Sequence, residues 1–111
     1  MNQKPKVFVT QFSPRLDFTQ LADYGEVVFL TKKEFVPTPS PAEYNAEVVN
    51  EIASGMQDYI PGVDYIVTTG SAIPNMIVGA YLNGRTVSGV RPANKILKWS
   101  NRDHKYELYL V

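Results

Sequence analysis

The sequence contains no cysteine, one histidine and one tryptophan. Without cysteine there is no disulfide, no thiolate metal site and no thiol nucleophile, which suits a reducing compartment. The lone histidine, His104, makes a zinc site a poor expectation, and no metal or other cofactor is expected. Charge of neither sign is in excess, because 11 basic residues balance 11 acidic ones. General nucleic-acid affinity rests on a basic surplus, so DNA or RNA is not an expected partner. Long hydrophobic runs are also missing. The longest, near Met76 to Leu82, is far short of the ~20 residues of a membrane span, so no membrane partner is expected. No apolar stretch of the kind a secretory leader carries follows Met1-Asn2-Gln3-Lys4-Pro5-Lys6.

What is present fits one globular α/β domain over residues 1–111. Hydrophobic residues make up 44% and charged residues 20%, the balance of a folded chain. Lys6 to Thr10 and Glu26 to Thr31 are short, β-branched and aromatic, and read as strands. Asp64 to Thr69, Lys95 to Trp99 and Tyr106 to Val111 read the same way. Ser100 to Lys105 joins the last two as a hairpin.

Helical signals lie between the strands. Asp17-Phe18-Thr19-Gln20 has the spacing of a capping box, with Gly25 as a stop. Ser40-Pro41-Ala42-Glu43 opens a helix expected to run to about Tyr59. Its expected apolar face is Ala42, Ala46, Val49, Ala53, Met56 and Ile60. Ile73 to Leu82 is a third helix, apolar on nearly all sides, closed by Asn83-Gly84. The order β-α-β-α-β-α-β-β predicts a small Rossmann-like three-layer domain. Its sheet is mostly parallel, of about five strands, and ends in an antiparallel hairpin.

Open α/β sheets bind ligands beyond the carboxyl ends of their strands. Here those ends are Thr10-Gln11, Thr31-Lys32 and Thr68-Thr69-Gly70-Ser71. The last runs into a helix N-terminus, which favours an anion. The expected ligand-binding residues are Thr69, Gly70, Ser71 and Gln11, with Arg85 and Arg91 from the polar stretch Gly84 to Asn94. Pro74 removes one N–H from that first turn, and neither GxGxxG nor GxxxxGK[ST] is present. A tight turn with a cap is the competing reading.

No catalytic residue set emerges. Ser71 lacks a GxSxG elbow, and His104 beside Asp103 reads as a solvated turn residue. Trp99, Tyr106 and Tyr109 can form an aromatic platform for a base, or can be cross-strand packing partners.

Charge is unevenly spread. Asp17 to Asp64 carries nine acidic residues against Lys32 and Lys33, a net of −7. Tyr65 to Val111 carries six basic residues against Asp103 and Glu107, a net of +4. Glu43, Glu47 and Glu51 recur every fourth residue, so they share one helix face. That face is either a surface for a basic partner or a solvated stripe helped by the helix dipole. Pro37, Pro39 and Pro41 make the preceding loop extended and stiff. The apolar Ile73–Leu82 helix needs cover, so a homodimer is expected, through that helix or an edge strand.

Two stretches carry a family likeness: DYIVTTGSAIPNMIVGAYL, Asp64 to Leu82, and KILKWSNRDHKYELYLV, Lys95 to Val111. With the KVFVTQ opening and YGEVVFLT, they resemble a group of short tailed-phage proteins. Those run from a VxVxQ strand, through FGE and a strand, to a DYLLxTGDP-like turn and helix. They end in LKWDR and a Tyr-containing strand. The likeness covers about two thirds of the chain. This sequence departs from the pattern at Gly70-Ser71-Ala72-Ile73-Pro74, where a GDP triplet would stand, and at Ser100-Asn101-Arg102 in place of DR. The resemblance implies a phage origin and an accessory role in the cytoplasm of an infected host cell. It brings no activity with it.

The leading expectation is therefore a non-catalytic protein that binds and modulates a host protein. A binder of a small anionic ligand, such as a nucleotide-derived signal in anti-defence, is the second. A minor virion component is a third. An enzyme using Thr69, Ser71 and Asp64 ranks last, because no general base accompanies them.

Overall fold

The computed structural model describes residues 4–13, 17–32, 42–69, 72–83 and 93–111. Within them the elements are β1 (Lys6–Val9), a 3₁₀ turn (Thr19–Asp23), β2 (Glu26–Phe29), α1 (Ala42–Met56), β3 (Tyr65–Val67), α2 (Ala72–Asn83), β4 (Lys95–Ser100) and β5 (Lys105–Leu110). The strands form one sheet in the order β2-β1-β3-β4-β5. The first four are parallel, and β5 closes the sheet as the antiparallel arm of a hairpin. This is the α/β architecture expected from the alternation of strands and helices.

Right-handed crossovers decide which face each connection covers. From β1 the chain moves one way, to β2; from β2 and then β3 it moves the other way. The helices α1 and α2 therefore share one face, and the 3₁₀ turn lies on the opposite one. Strand alternation feeds both. Phe8 and Ile66 pack with Val48, Ile52, Met56, Tyr59, Val78 and Leu82 under the helices. Val7, Val9, Val67, Leu97 and Tyr106 pack with Leu21 on the other side.

That third layer is thin. The helix expected after Asp17 contracts to a 3₁₀ turn, and its capping box does not form. The Asp17 carboxylate instead accepts hydrogen bonds from the Thr19 N–H (2.9 Å) and hydroxyl (2.7 Å), which tightens the chain locally. Gln20, expected to reach back to Asp17, donates its side-chain amide to the His104 carbonyl at 3.2 Å. Aromatic rings fill the space a longer helix would occupy. Phe29 meets Phe12 and Phe18 edge to face, with centroids 5.1 and 5.2 Å apart.

The buried face of α1 also differs from the expected one. Val48, Ile52 and Met56 are fully buried, whereas Val49 and Ala46 are exposed and Ile60 is 45% exposed. Two apolar stripes run side by side on this helix. The stripe with the larger side chains meets the sheet, because it removes more apolar area from water. In α2, Val78 and Leu82 face the core while Met76, Gly79 and Ala80 face outward. Met76 is 71% exposed, so among its described side chains this apolar helix is covered on one side only.

Backbone contacts pin the amino-terminal end of the sheet. The buried Asp64 accepts from the Lys6 N–H through one carboxylate oxygen (2.9 Å) and from the Ile60 N–H through the other (2.8 Å). Gly25 lies against the Pro5 carbonyl, and a Cβ there would collide with that oxygen. Glycine thereby lets Glu26 N–H reach the same carbonyl at 3.0 Å and start the β1–β2 pair.

Candidate functional site

The connections leaving β1 and β3 diverge to opposite sides, which opens a crevice at their carboxyl ends. Thr10 and Thr69 stand there, and Asn75 from the first turn of α2 joins them. The Thr10 hydroxyl donates to Asn75 Oδ1 at 2.7 Å and lies 3.3 Å from the Thr69 hydroxyl. The Asn75 amide donates to the Thr69 carbonyl at 2.7 Å, and the Thr69 N–H approaches both Asn75 Oδ1 and the Thr10 hydroxyl at 3.3 Å. The hydroxyl proton of Thr10 is committed to Asn75, so the contact between the two threonines uses that of Thr69. This cluster works as a latch between two strand ends and a helix start.

The latch bears on the anion site expected from Thr69. An anion needs donors, and both threonine hydroxyl protons already have acceptors. Gln11, the next residue along from Thr10, is buried and engaged within the protein. Gly70, Ser71, Arg85 and Arg91 lie outside the described residues. Asp64 stands at the other end of β3, about 16 Å from Thr69 at the rise of an extended strand, so the two do not share a site. Asn75 was not singled out from the sequence. The available signal was its place in the first turn of a helix, where Asn side chains bond nearby backbone.

A second concavity opens beside the latch, on the face of the 3₁₀ turn. Asp17, Phe18, Val67, Thr68, Trp99, Asn101 and Tyr106 line a cleft of about 250 Å³. Val67 and Thr68 come from the carboxyl end of β3, and Trp99 from that of β4. Trp99 and Tyr106 are cross-strand partners whose rings meet at 5.1 Å and 67°. Tyr109 is not part of this platform: three residues beyond Tyr106, it points to the other face of β5. Its hydroxyl instead donates to Glu107 at 3.0 Å.

Two hydrogen bonds hold the cleft walls together. The Tyr106 hydroxyl donates to the Asp17 carbonyl at 3.2 Å, and Gln20 reaches His104 as described. His104 occupies the hairpin turn with a positive φ of 52°, as expected of a turn residue. The Trp99 indole N–H donates to Asn101 Oδ1 at 3.0 Å, which sets the ring's tilt.

The cleft's electrostatics are one-sided. The bonds from the Thr19 N–H and hydroxyl hold the Asp17 carboxyl below its usual range, so it stays ionised at neutral pH. Burial, and then the Asp17 charge, push the Tyr106 phenol up, so it stays neutral. The cleft therefore presents aromatic rings, a fixed carboxylate and the polar side chains of Thr68 and Asn101. Such a set can hold a flat group that donates hydrogen bonds. Among the described residues, no His, Asp and Glu side chains cluster in the manner of a metal site.

A family model spans this whole arrangement, from residue 2 to residue 111. The chain belongs to the Phage Pam3 gp32-like protein family. Membership in the Pam3 gp32-like family agrees with the phage origin implied by the resemblance. No curated protein and no solved structure matches the chain. Of the acidic face expected to meet a partner, Glu47 is exposed and Glu51 partly so, while the Glu43 side chain lies outside what is described. Among the described residues, no helix is long and apolar enough to cross a membrane.

Proposed function

We propose that this phage protein works by binding, in the host cytoplasm, and that it takes a nucleobase-like group into the Trp99 cleft. The observation that carries this reading is the pairing of half-buried rings, Phe18 and Trp99, with the ionised Asp17 carboxylate in one concavity. A base stacked on an aromatic ring gains ~1–3 kcal/mol. An exocyclic amine of that base would donate to Asp17, which favours adenine, guanine or cytosine over uracil or thymine. Because Asp17 is held ionised, it serves as an acceptor that orients the ligand and not as a proton donor.

Trp99 is the only tryptophan, so its fluorescence reports on this cleft and on the hairpin end that adjoins it. Titration with a panel of nucleosides and nucleotides should quench or shift that emission saturably, and saturating ligand should raise the melting temperature. Asp17→Asn should weaken amine-bearing bases selectively. A flat Trp99 signal across the panel at millimolar ligand, with the protein folded, overturns the reading.

A second reading is a host-protein partner for α1. It is favoured by the outward position of Glu47, one turn from Glu51, on a segment of strong net negative charge. A basic partner captured from host lysate should be lost with Glu47→Lys combined with Glu51→Lys. Equal capture by the double variant would remove the acidic face from consideration.

A further inference from the structure

We infer that β5 is the seam of a two-fold homodimer, in which two copies join edge to edge into a continuous sheet. The direction of the backbone groups on β5 carries the argument. Val111 and Asn94 exchange both of their backbone hydrogen bonds, at 2.6 and 3.0 Å. In an antiparallel ladder such pairs recur every second residue. The odd-numbered residues of β5 therefore bond inward to β4, and the N–H and C=O groups of Tyr106, Leu108 and Leu110 point outward from the sheet. Among the described residues β5 pairs only with β4, at the edge of the sheet.

Beyond its first residue, the exposed Lys105, this edge lacks the usual protection against pairing. Lysine, proline, bulges or short length normally blunt an edge strand. Here β5 is six residues long and ends in exposed apolar side chains: Leu108 at 51%, Tyr109 at 47%, Leu110 at 64% and Val111 at 60%. The opposite edge, β2, has four residues and begins with an exposed glutamate.

The sequence of β5 selects both the occupant and the register. Centring the two-fold on Glu107 would set Glu107 against its own copy, and like charges directly opposite are unfavourable. Centring it on Tyr106 would pair Lys105 with Glu107 but leave Leu108 to Val111 hanging beyond the ladder. Centring it on Leu108 keeps Tyr106 to Leu110 within the ladder and sets no like charges opposite each other. Leu108 then faces Leu108 of the second copy, and Tyr106 faces Leu110 of the second copy. On the other side of the sheet Glu107 faces Tyr109 of the second copy, so the hydroxyl–carboxylate bond now made within one strand can also be made across the seam. Three outward pairs, each exchanging two bonds, add about six main-chain hydrogen bonds. Tyr106 lines the Trp99 cleft, so the second copy's Leu110 would extend that wall. The dimer does not depend on the cleft holding a ligand.

Sedimentation equilibrium on the whole chain should show a concentration-dependent dimer. Leu108→Lys should abolish it by placing two lysines at the two-fold, and Leu108→Glu should do the same. An equimolar mixture of the two variants should dimerise again. The chain contains no cysteine, so Leu108→Cys offers a register test. Residues facing each other in a hydrogen-bonded pair lie about 5.5 Å apart at Cα, within disulfide reach, so mild oxidation should give a covalent dimer. Lys105→Cys stands about 20 Å from its own copy in this register and should not cross-link. A wild-type chain that stays monomeric at millimolar concentration overturns the inference. So does a dimer that survives both Leu108 charge variants in folded protein, which would point to another surface, such as the Met76 face of α2.

Discussion

Tyr106 donates its hydroxyl to the backbone carbonyl of Asp17 at 3.2 Å, across 89 positions of sequence. This bond joins the last strand to the entrance of the 3₁₀ turn and frames the aromatic cleft. Tyr106→Phe removes it and leaves a carbonyl without that donor. We expect a loss of about 0.5–1.5 kcal/mol in urea unfolding.

Tyr106 also predicts an alkaline limb. Its phenol titrates above the usual 10.0 in the folded chain, chiefly through burial and then through the Asp17 charge. The folded state thus favours the neutral phenol. That contribution is complete below pH 10.0 and is lost as pH rises through the higher folded value. Tyr109 is pushed the same way by its bond to Glu107 but is solvent-exposed, so it contributes less. Stability measured from pH 8 to 11 should fall less steeply in Tyr106→Phe than in Tyr109→Phe or the wild type.

Asp17 gives the opposite limb. Its folded carboxyl titrates below the usual 3.8, because Thr19 donates to it twice. The contribution is present above pH 3.8 and is lost as pH falls through the lower folded value. In Asp17→Asn the acid limb should be shallower between pH 4 and 2. An acid profile identical to wild type would show that the Thr19 bonds add nothing to folding.

Asn75 is the hub of the latch at the strand ends. Asn75→Ala leaves the Thr10 hydroxyl and the Thr69 carbonyl without their 2.7 Å partners. The expected cost is about 1–3 kcal/mol, read from the urea midpoint. Amide exchange should accelerate locally at Thr69 and at the start of α2 if the latch is what holds them.

Two adjacent stripes of α1 can be told apart by truncation. Ile52 is fully buried, and Ile52→Ala should cost about 2–5 kcal/mol. Val49 is 37% exposed, and Val49→Ala should cost less than about 1 kcal/mol. The reverse order would mean that α1 is turned toward the face first expected from its alanine-rich spacing.

Much of the fold was legible because its signals are local. KVFVT, EVVFLT and DYIVTT are short β-branched runs separated by helical periodicity, and that alternation requires crossovers and a parallel sheet. KILKW and YELYLV, divided by a polar stretch of turn length, specify a hairpin in the same local way. The wholly apolar helix after Thr69 was equally plain in sequence, although which of its sides lies open was not.

Other features depended on distance across the fold. Gln20 and His104, Asp17 and Tyr106, and Thr10 and Asn75 are far apart in the chain and meet only after the sheet has assembled. Gln20 bonds a distant partner where local spacing suggested the nearer Asp17. The rotation of α1 followed from which stripe removed more apolar surface against β1 and β3, a comparison that spacing alone does not make. On β5, sequence by itself determined an apolar strand. Only the ladder with β4 decided that Tyr106, Leu108 and Leu110 turn their backbone groups outward, because a strand's two edges become different once one of them is paired.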